Sequence, residues 1–137
     1  MKKTIILLLT LVSLVCIFII ISGFKSQNLE YKVSNNSVSI SLQQITKPIL
    51  GVAFHLVYPI GSKYLDYNLG SLFLQDEQEP IVLIHDLKAE HKILVGISLK
   101  RSDQLPTNTG EIVNFKFSED IADINDLKLT NVDIRTF

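Results

Sequence analysis

From Ser37 onward, apolar and polar positions alternate with a period of two, broken at intervals of about ten residues by Gly, Pro or Asn. Val38, Ile40 and Leu42 alternate with Ser37, Ser39 and Ser41, which predicts a strand with one buried and one wetted face. The clearest run is Leu50 to Tyr58, with Val52, Phe54, Leu56 and Tyr58 on one side and Ala53, His55 and Val57 on the other. Pro59, Gly61 and Ser62 end it. Short extended runs follow at Tyr64 to Tyr67 and Ile81 to Ile84, with a charged loop at 75–79 between them and a polar turn at Asp86 to His91 after the second. Lys92 to Leu99 alternates strictly, placing Ile93, Val95, Ile97 and Leu99 in phase. Ser102 to Gly110 reads as a loop, Glu111 to Phe117 as a strand with Val113, Phe115 and Phe117 in phase, and Leu127 to Ile134 as the last strand. No helix of three turns is supported after residue 25. Seven or eight short strands predict an all-β sandwich with Phe54, Leu56, Tyr58, Leu72, Ile93, Val95, Ile97, Phe115 and Phe117 in one core.

The N-terminus follows a different rule. No charge occurs between Lys3 and Lys25, and Ile, Leu, Val and Phe fill most of that span. As a helix, a run of about 21 residues reaches about 30 Å, the thickness of a bilayer core. Residues 1–25 therefore predict one hydrophobic helix, a membrane anchor or a signal sequence. The run exceeds an ordinary secretory core, and Ile21 is a poor residue three positions before a cut at Gly23. The expectation is an uncleaved anchor, with Lys2 and Lys3 in the cytoplasm and the domain outside the cell membrane; the alternative is a secreted protein. Residues 26–36 read as a polar tether and 37–137 as the sandwich.

Composition removes several classes of function. Cys16 is the single cysteine and lies in the apolar run, so disulfides cannot hold the domain. Thirteen basic residues, less Lys2 and Lys3, leave eleven beyond Phe24 against fourteen acidic ones; no basic patch points to nucleic acid. His85 and His91 stand six apart at a strand end and a turn, where solvated histidines are ordinary, and no metal site is expected. The acidic stretch containing Glu119, Asp120, Asp123 and Asp126 lacks the alternating oxygens and the glycine of a calcium loop. With no nucleophile elbow and no phosphate-binding glycine loop, the chain reads as a non-enzyme without cofactors. There is no Trp to form a sugar-stacking platform, and Tyr31, Tyr64 and Tyr67 are the tyrosines placed outside the core.

The succession ISL, GVAFHLVYP, KYLDYNLGSLF, IVLIHD with KILVGISL, GEIVNFKF and LKLTNVDI resembles the cohesin domain over about Val38 to Ile134. Its most specific parts are Phe54, Leu56 and Tyr58 with Leu65, Gly70, Leu72 and Phe73, and the strand Gly110, Val113, Phe115 and Phe117. The chain departs from the pattern at Tyr58-Pro59, where many members have Tyr-Asp-Pro, and in 118–126, which lacks the usual Gly-Thr or Gly-Ser step. The resemblance implies a nine-stranded jelly-roll sandwich of the cohesin and carbohydrate-binding-module type, binding a dockerin module or acting near polysaccharide breakdown.

Function follows from that resemblance as an expectation: an exported, non-catalytic module recruiting another exported protein, a dockerin-bearing one by analogy. The alternatives are a carbohydrate-binding module on polysaccharide and a structural spacer at the cell surface. A partner is expected on one face built by the runs near 64–68, 81–86, 93–99 and 111–117, with His85, Ser98, Asn114 and Lys116 as outward-pointing contacts.

Overall fold

The computed structural model describes residues 28–43, 47–74, 79–100, 106, 109–121 and 126–136. The helix expected over residues 1–25 lies outside them, as does most of the loop expected over 102–110. Eight strands occupy the described residues: β1 (Leu29–Ser34), β2 (Ser37–Leu42), β3 (Ile49–Val57), β4 (Tyr64–Leu69), β5 (Ile81–Leu87), β6 (Lys92–Ser98), β7 (Gly110–Phe117) and β8 (Lys128–Thr136). They form two four-stranded antiparallel sheets, ordered β1-β2-β7-β4 and β5-β6-β3-β8. Among the described residues there is no α-helix, and none long and apolar enough to cross a membrane.

Each sheet turns one apolar face toward the other, so the alternation read in the sequence becomes a single core. Val38, Ile40 and Leu42 meet Phe54 and Leu56 of β3, Ile93, Val95 and Ile97 of β6, and Phe115 and Phe117 of β7. All nine residues expected in the core are there. With no disulfide among the described residues, burial of this apolar surface is the main force holding the sheets together.

The stretch expected as a tether, 26–36, instead contributes the first strand. Leu29, Tyr31 and Val33 alternate with Glu30, Lys32 and Ser34, and β1 pairs with β2 from Leu29↔Leu42 to Ser34↔Ser37. Asn35 turns the hairpin at φ 53°, a conformation Asn tolerates better than most residues. The turn is tied to the neighbouring sheet positions: the Phe117 and Ile121 amides donate to the carbonyls of Asn36 and Asn35, at 2.8 and 2.9 Å.

Four register shifts interrupt the pairings, and two of them set the phase of core residues. Opposite Ile40 and Ser41, β7 carries an extra residue, so Ile112 and Val113 are both fully buried although adjacent. In β8, Asn131 at φ 50° sits at a second shift, which lets Leu129 and Val132, three residues apart, both pack on the core. After β4, Gly70 passes directly over β7 and its amide donates to the Ile112 carbonyl at 2.8 Å. A 3-10 turn, Ser71–Phe73, then drops Leu72 and Phe73 into the core.

Candidate functional site

The outer faces of the two sheets differ in chemistry. Outside the β1-β2-β7-β4 sheet stand Glu30, Lys32 and Ser34, then Ser37, Ser39 and Ser41, then Glu111, Asn114 and Lys116, then Asp66 and Asn68. The Ser39 hydroxyl donates to Glu111 Oε2. This surface is polar apart from Leu65, which is 58% exposed on the edge strand β4.

The β5-β6-β3-β8 sheet presents a mixed face that is apolar along its β5 edge. Cross-strand rows run Ile81–Ser98–Gly51–Arg135, then Leu83–Gly96–Ala53–Asp133, then His85–Leu94–His55–Thr130. Ile81 and Leu83 are 53% and 64% exposed on an edge strand, beside a floor whose side chains are absent or small at Gly51, Ala53, Gly96 and Ser98. Together with Arg135 they line a shallow groove of about 230 Å³. Space is tight at Gly51, where a Cβ would stand 3.0 Å from the Ile97 carbonyl and from Ser98 Cβ, whereas one on Gly96 would meet only Leu83 Cβ at 3.8 Å. Asn131 Nδ2 lies 3.0 Å from His55 Nδ1, fixing that ring at the groove's far side.

The four residues expected on one docking face do not share one. His85 and Ser98 lie outside the β5-β6-β3-β8 sheet, on β5 and β6; Asn114 and Lys116 lie on β7, outside the opposite sheet. The run 64–68 likewise belongs with β7, not with β5 and β6. Alternation tells which residues share a face of one strand, but strand order decides which strands share a sheet, and that order is set by pairings distant in sequence.

A second concavity opens along one side of the sandwich, between the edge strands β4 and β5. Tyr58, Ser62, Lys63, Tyr64, Leu65, Asp86, Lys88 and His91 line it, enclosing about 390 Å³. Asp86 is the unexpected member. The sequence reading ended the strand at Ile84 and put Asp86 in a turn, but β5 continues to Leu87, and Asp86 falls on the inward phase of Val82 and Ile84. The signal was present as a two-residue spacing, hidden because the third position is charged. Asp86 Oδ1 accepts from the Tyr58 hydroxyl at 2.9 Å. The Tyr58 ring lies edge-on to His91 at 5.6 Å and tilted on Phe117 at 5.4 Å, while Tyr64 packs edge-on against Phe115 and Phe117. His91, at φ 50°, closes the β5–β6 turn; its carbonyl accepts from the Tyr58 amide at 2.9 Å, and its Nδ1 is buried without a partner.

Burial, then the hydrogen bond to Asp86 and that group's charge, push the Tyr58 phenol from 10.0 up to about 12. A phenol that holds its proton more tightly when folded adds stability below pH 10, and the contribution drains away as pH climbs toward 12. Urea denaturation of the full chain at a series of pH values is therefore expected to show stability falling across that window, with a flatter fall for Tyr58→Phe. Equal slopes for the two proteins would contradict the Tyr58–Asp86 coupling.

Among the described residues, no three His, Cys, Asp or Glu side chains converge in a geometry suited to a metal ion. No protein-family model matches the chain, and no curated protein does. Solved structures do. A non-cellulosomal cohesin from the archaeon Archaeoglobus fulgidus superposes with a TM-score of 0.56 and 18% identity, over 77% of this chain and 70% of that one. A type I cohesin–dockerin complex from Clostridium thermocellum gives a TM-score of 0.59 at 9% identity, over 76% of this chain and 74% of that chain. Two opposed antiparallel sheets in this strand order, matched to both of these structures over most of each chain, give this protein the fold of a cohesin domain.

Proposed function

We propose that this chain is an exported, non-catalytic recognition module that binds another protein through the outer face of the β5-β6-β3-β8 sheet. The observation that carries the reading is the contrast between the faces. One is polar except for Leu65 on its edge strand β4; the other exposes Ile81 and Leu83 beside a floor of Gly51, Ala53 and Gly96 into which a partner's side chains can settle. Large exposed apolar side chains gathered on one side of a small domain mark interaction surfaces, and burial of such anchors supplies most of an interface's affinity. The cohesin of the Clostridium thermocellum complex is bound to a dockerin, which makes a dockerin-bearing protein the partner class to test first. On this reading His85 and Ser98 contact the partner, and Asn114 and Lys116 do not. The uncharged run between Lys3 and Lys25 supports display at the membrane.

The test uses the purified full-length chain, immobilised and presented with exported proteins and, separately, with insoluble polysaccharide. A dockerin-bearing protein is expected to be retained. Leu83→Asp should weaken its binding by about thirtyfold, the effect of losing a hot spot worth about 2 kcal/mol, without lowering the melting temperature. Paired Asn114→Ala and Lys116→Ala substitutions should leave it unchanged. Loss of binding in the Asn114→Ala, Lys116→Ala variant and not in Leu83→Asp would move the interface to the other sheet. Retention on polysaccharide with no protein partner would overturn the reading altogether.

A further inference from the structure

The concavity between β4 and β5 has a chemistry that the docking reading does not use. Val82, Ile84 and Asp86 share the inward phase of β5, and Asp86 is the one carboxylate among the described strand residues to fall on such a phase. Taking a carboxylate out of water is costly unless its oxygens find donors. Asp86 is half-buried: one oxygen accepts from the Tyr58 hydroxyl, and the other has no hydrogen-bond partner among the described residues. A position that serves only packing would carry a third aliphatic side chain here.

The surroundings define what fits. Tyr64 and Leu65 offer aromatic and apolar surface at the mouth. Ser62 and the Tyr64 hydroxyl add neutral hydrogen-bonding groups. Lys63, from the β3–β4 connection, and Lys88, from the 3-10 turn after β5, bring two cations to the same pocket, and neither is in an ion pair among the described residues. The ligand must then combine an anionic group for the lysines, hydroxyls for Asp86 and Ser62, and a C–H face for the ring of Tyr64. The volume of about 390 Å³ lies within the range of small-molecule sites, roughly 300 to 1,000 Å³. A polyhydroxylated ring bearing a carboxylate meets all three conditions.

We infer that the pocket lined by Tyr58, Lys63, Tyr64, Asp86, Lys88 and His91 binds an acidic sugar, a hexuronic acid, either free or at the end of a polysaccharide. This site is separate from the proposed docking face. Ile81 and Leu83 point away from it, on the outward phase of β5, so the two can be tested independently.

The experiment titrates the isotopically labelled full-length chain with D-galacturonate, trigalacturonate, D-glucose and acetate, following backbone amide shifts. Galacturonate is expected to move Lys63, Tyr64, Lys88 and His91 with saturation, while glucose and acetate bind at least about tenfold more weakly, the loss of one or two exposed charge contacts or of the hydroxyl contacts. The Lys63→Gln, Lys88→Gln double variant should lose about tenfold in galacturonate affinity, and Asp86→Asn should do likewise while keeping the dispersed spectrum of the folded chain. Trigalacturonate binding as well as the monomer identifies a polymer end as the ligand; its exclusion identifies the free acid. Equal shifts from acetate would reduce the site to a bare anion contact and overturn the inference. So would the absence of saturable shifts with either uronate, or affinity unchanged in the lysine variant; binding through Leu83 would be untouched by any of these outcomes.

Discussion

Phe115→Ala is expected to destabilise the domain by about 3–5 kcal/mol, as full truncation of a buried Phe does. Phe115 has no exposed surface, stands between Val38 of β2 and Tyr67 of β4 in the pairing register, and packs edge-on against the Tyr64 ring at 6.1 Å. Its removal therefore leaves a cavity bounded by three strands of one sheet, and the opposing sheet cannot close it without sliding. Small domains are stable by only about 5–15 kcal/mol, so the loss is a large part of the total. The midpoint of thermal unfolding should fall by at least about 12 °C. A shift of only a few degrees would contradict the packing described for β7.

Gly70→Ala is expected to cost nearly as much, about 3 kcal/mol, for a different reason. The backbone at Gly70 is ordinary, φ −77° and ψ 171°, so the requirement is for space. A Cβ would lie 2.2 Å from the Glu111 carbonyl oxygen and 2.4 Å from its carbon. Those are main-chain atoms at the β7 bulge and cannot rotate away. The amide of Gly70 would have to leave the Ile112 carbonyl, and the 3-10 turn that carries Leu72 and Phe73 into the core would lift with it. Gly96→Ala is the control, because its Cβ finds only an ordinary contact and alanine is the better strand residue by up to about 1 kcal/mol. Urea denaturation should separate the two glycines clearly; equal effects would show that close approach at Gly70 is not what selects glycine.

The fold was largely legible because a half-buried strand writes its two faces into successive residues. Val52, Phe54, Leu56 and Tyr58, or Ile93, Val95 and Ile97, could be assigned without knowing what they face. The first strand was harder to see. Its inward residues, Leu29, Tyr31 and Val33, are interrupted by Glu30 and Lys32 and lie at a sheet edge, where Tyr31 and Val33 are only half-buried, so the pattern resembles a polar linker. The site was least legible. Separating His85 and Ser98 from Asn114 and Lys116 requires knowing that β6 pairs with β3, across Gly51↔Ser98, and that β7 pairs with β2 and β4. Asp86 escapes the pattern because a charge at the third inward position looks like the end of a strand, whereas it stands at an opening in the sandwich wall.

The polarity of β1 has a mechanical consequence. Leu29 pairs with Leu42 at one pole of the sandwich, while the Pro59–Lys63 connection, the β5–β6 turn and the pocket between β4 and β5 lie at the other. Tension transmitted through the residues before Leu29 draws β1 out lengthwise from its own starting pole. Antiparallel hydrogen bonds run perpendicular to their strands, so such a pull loads the whole β1–β2 register in shear, all six residue pairs sharing the force at once. Pulling the two strands apart from the turn at Asn35 would open the pairs one by one. A domain gripped on its broad face and pulled by its N-terminal segment is thus loaded in the direction in which its first strand resists most.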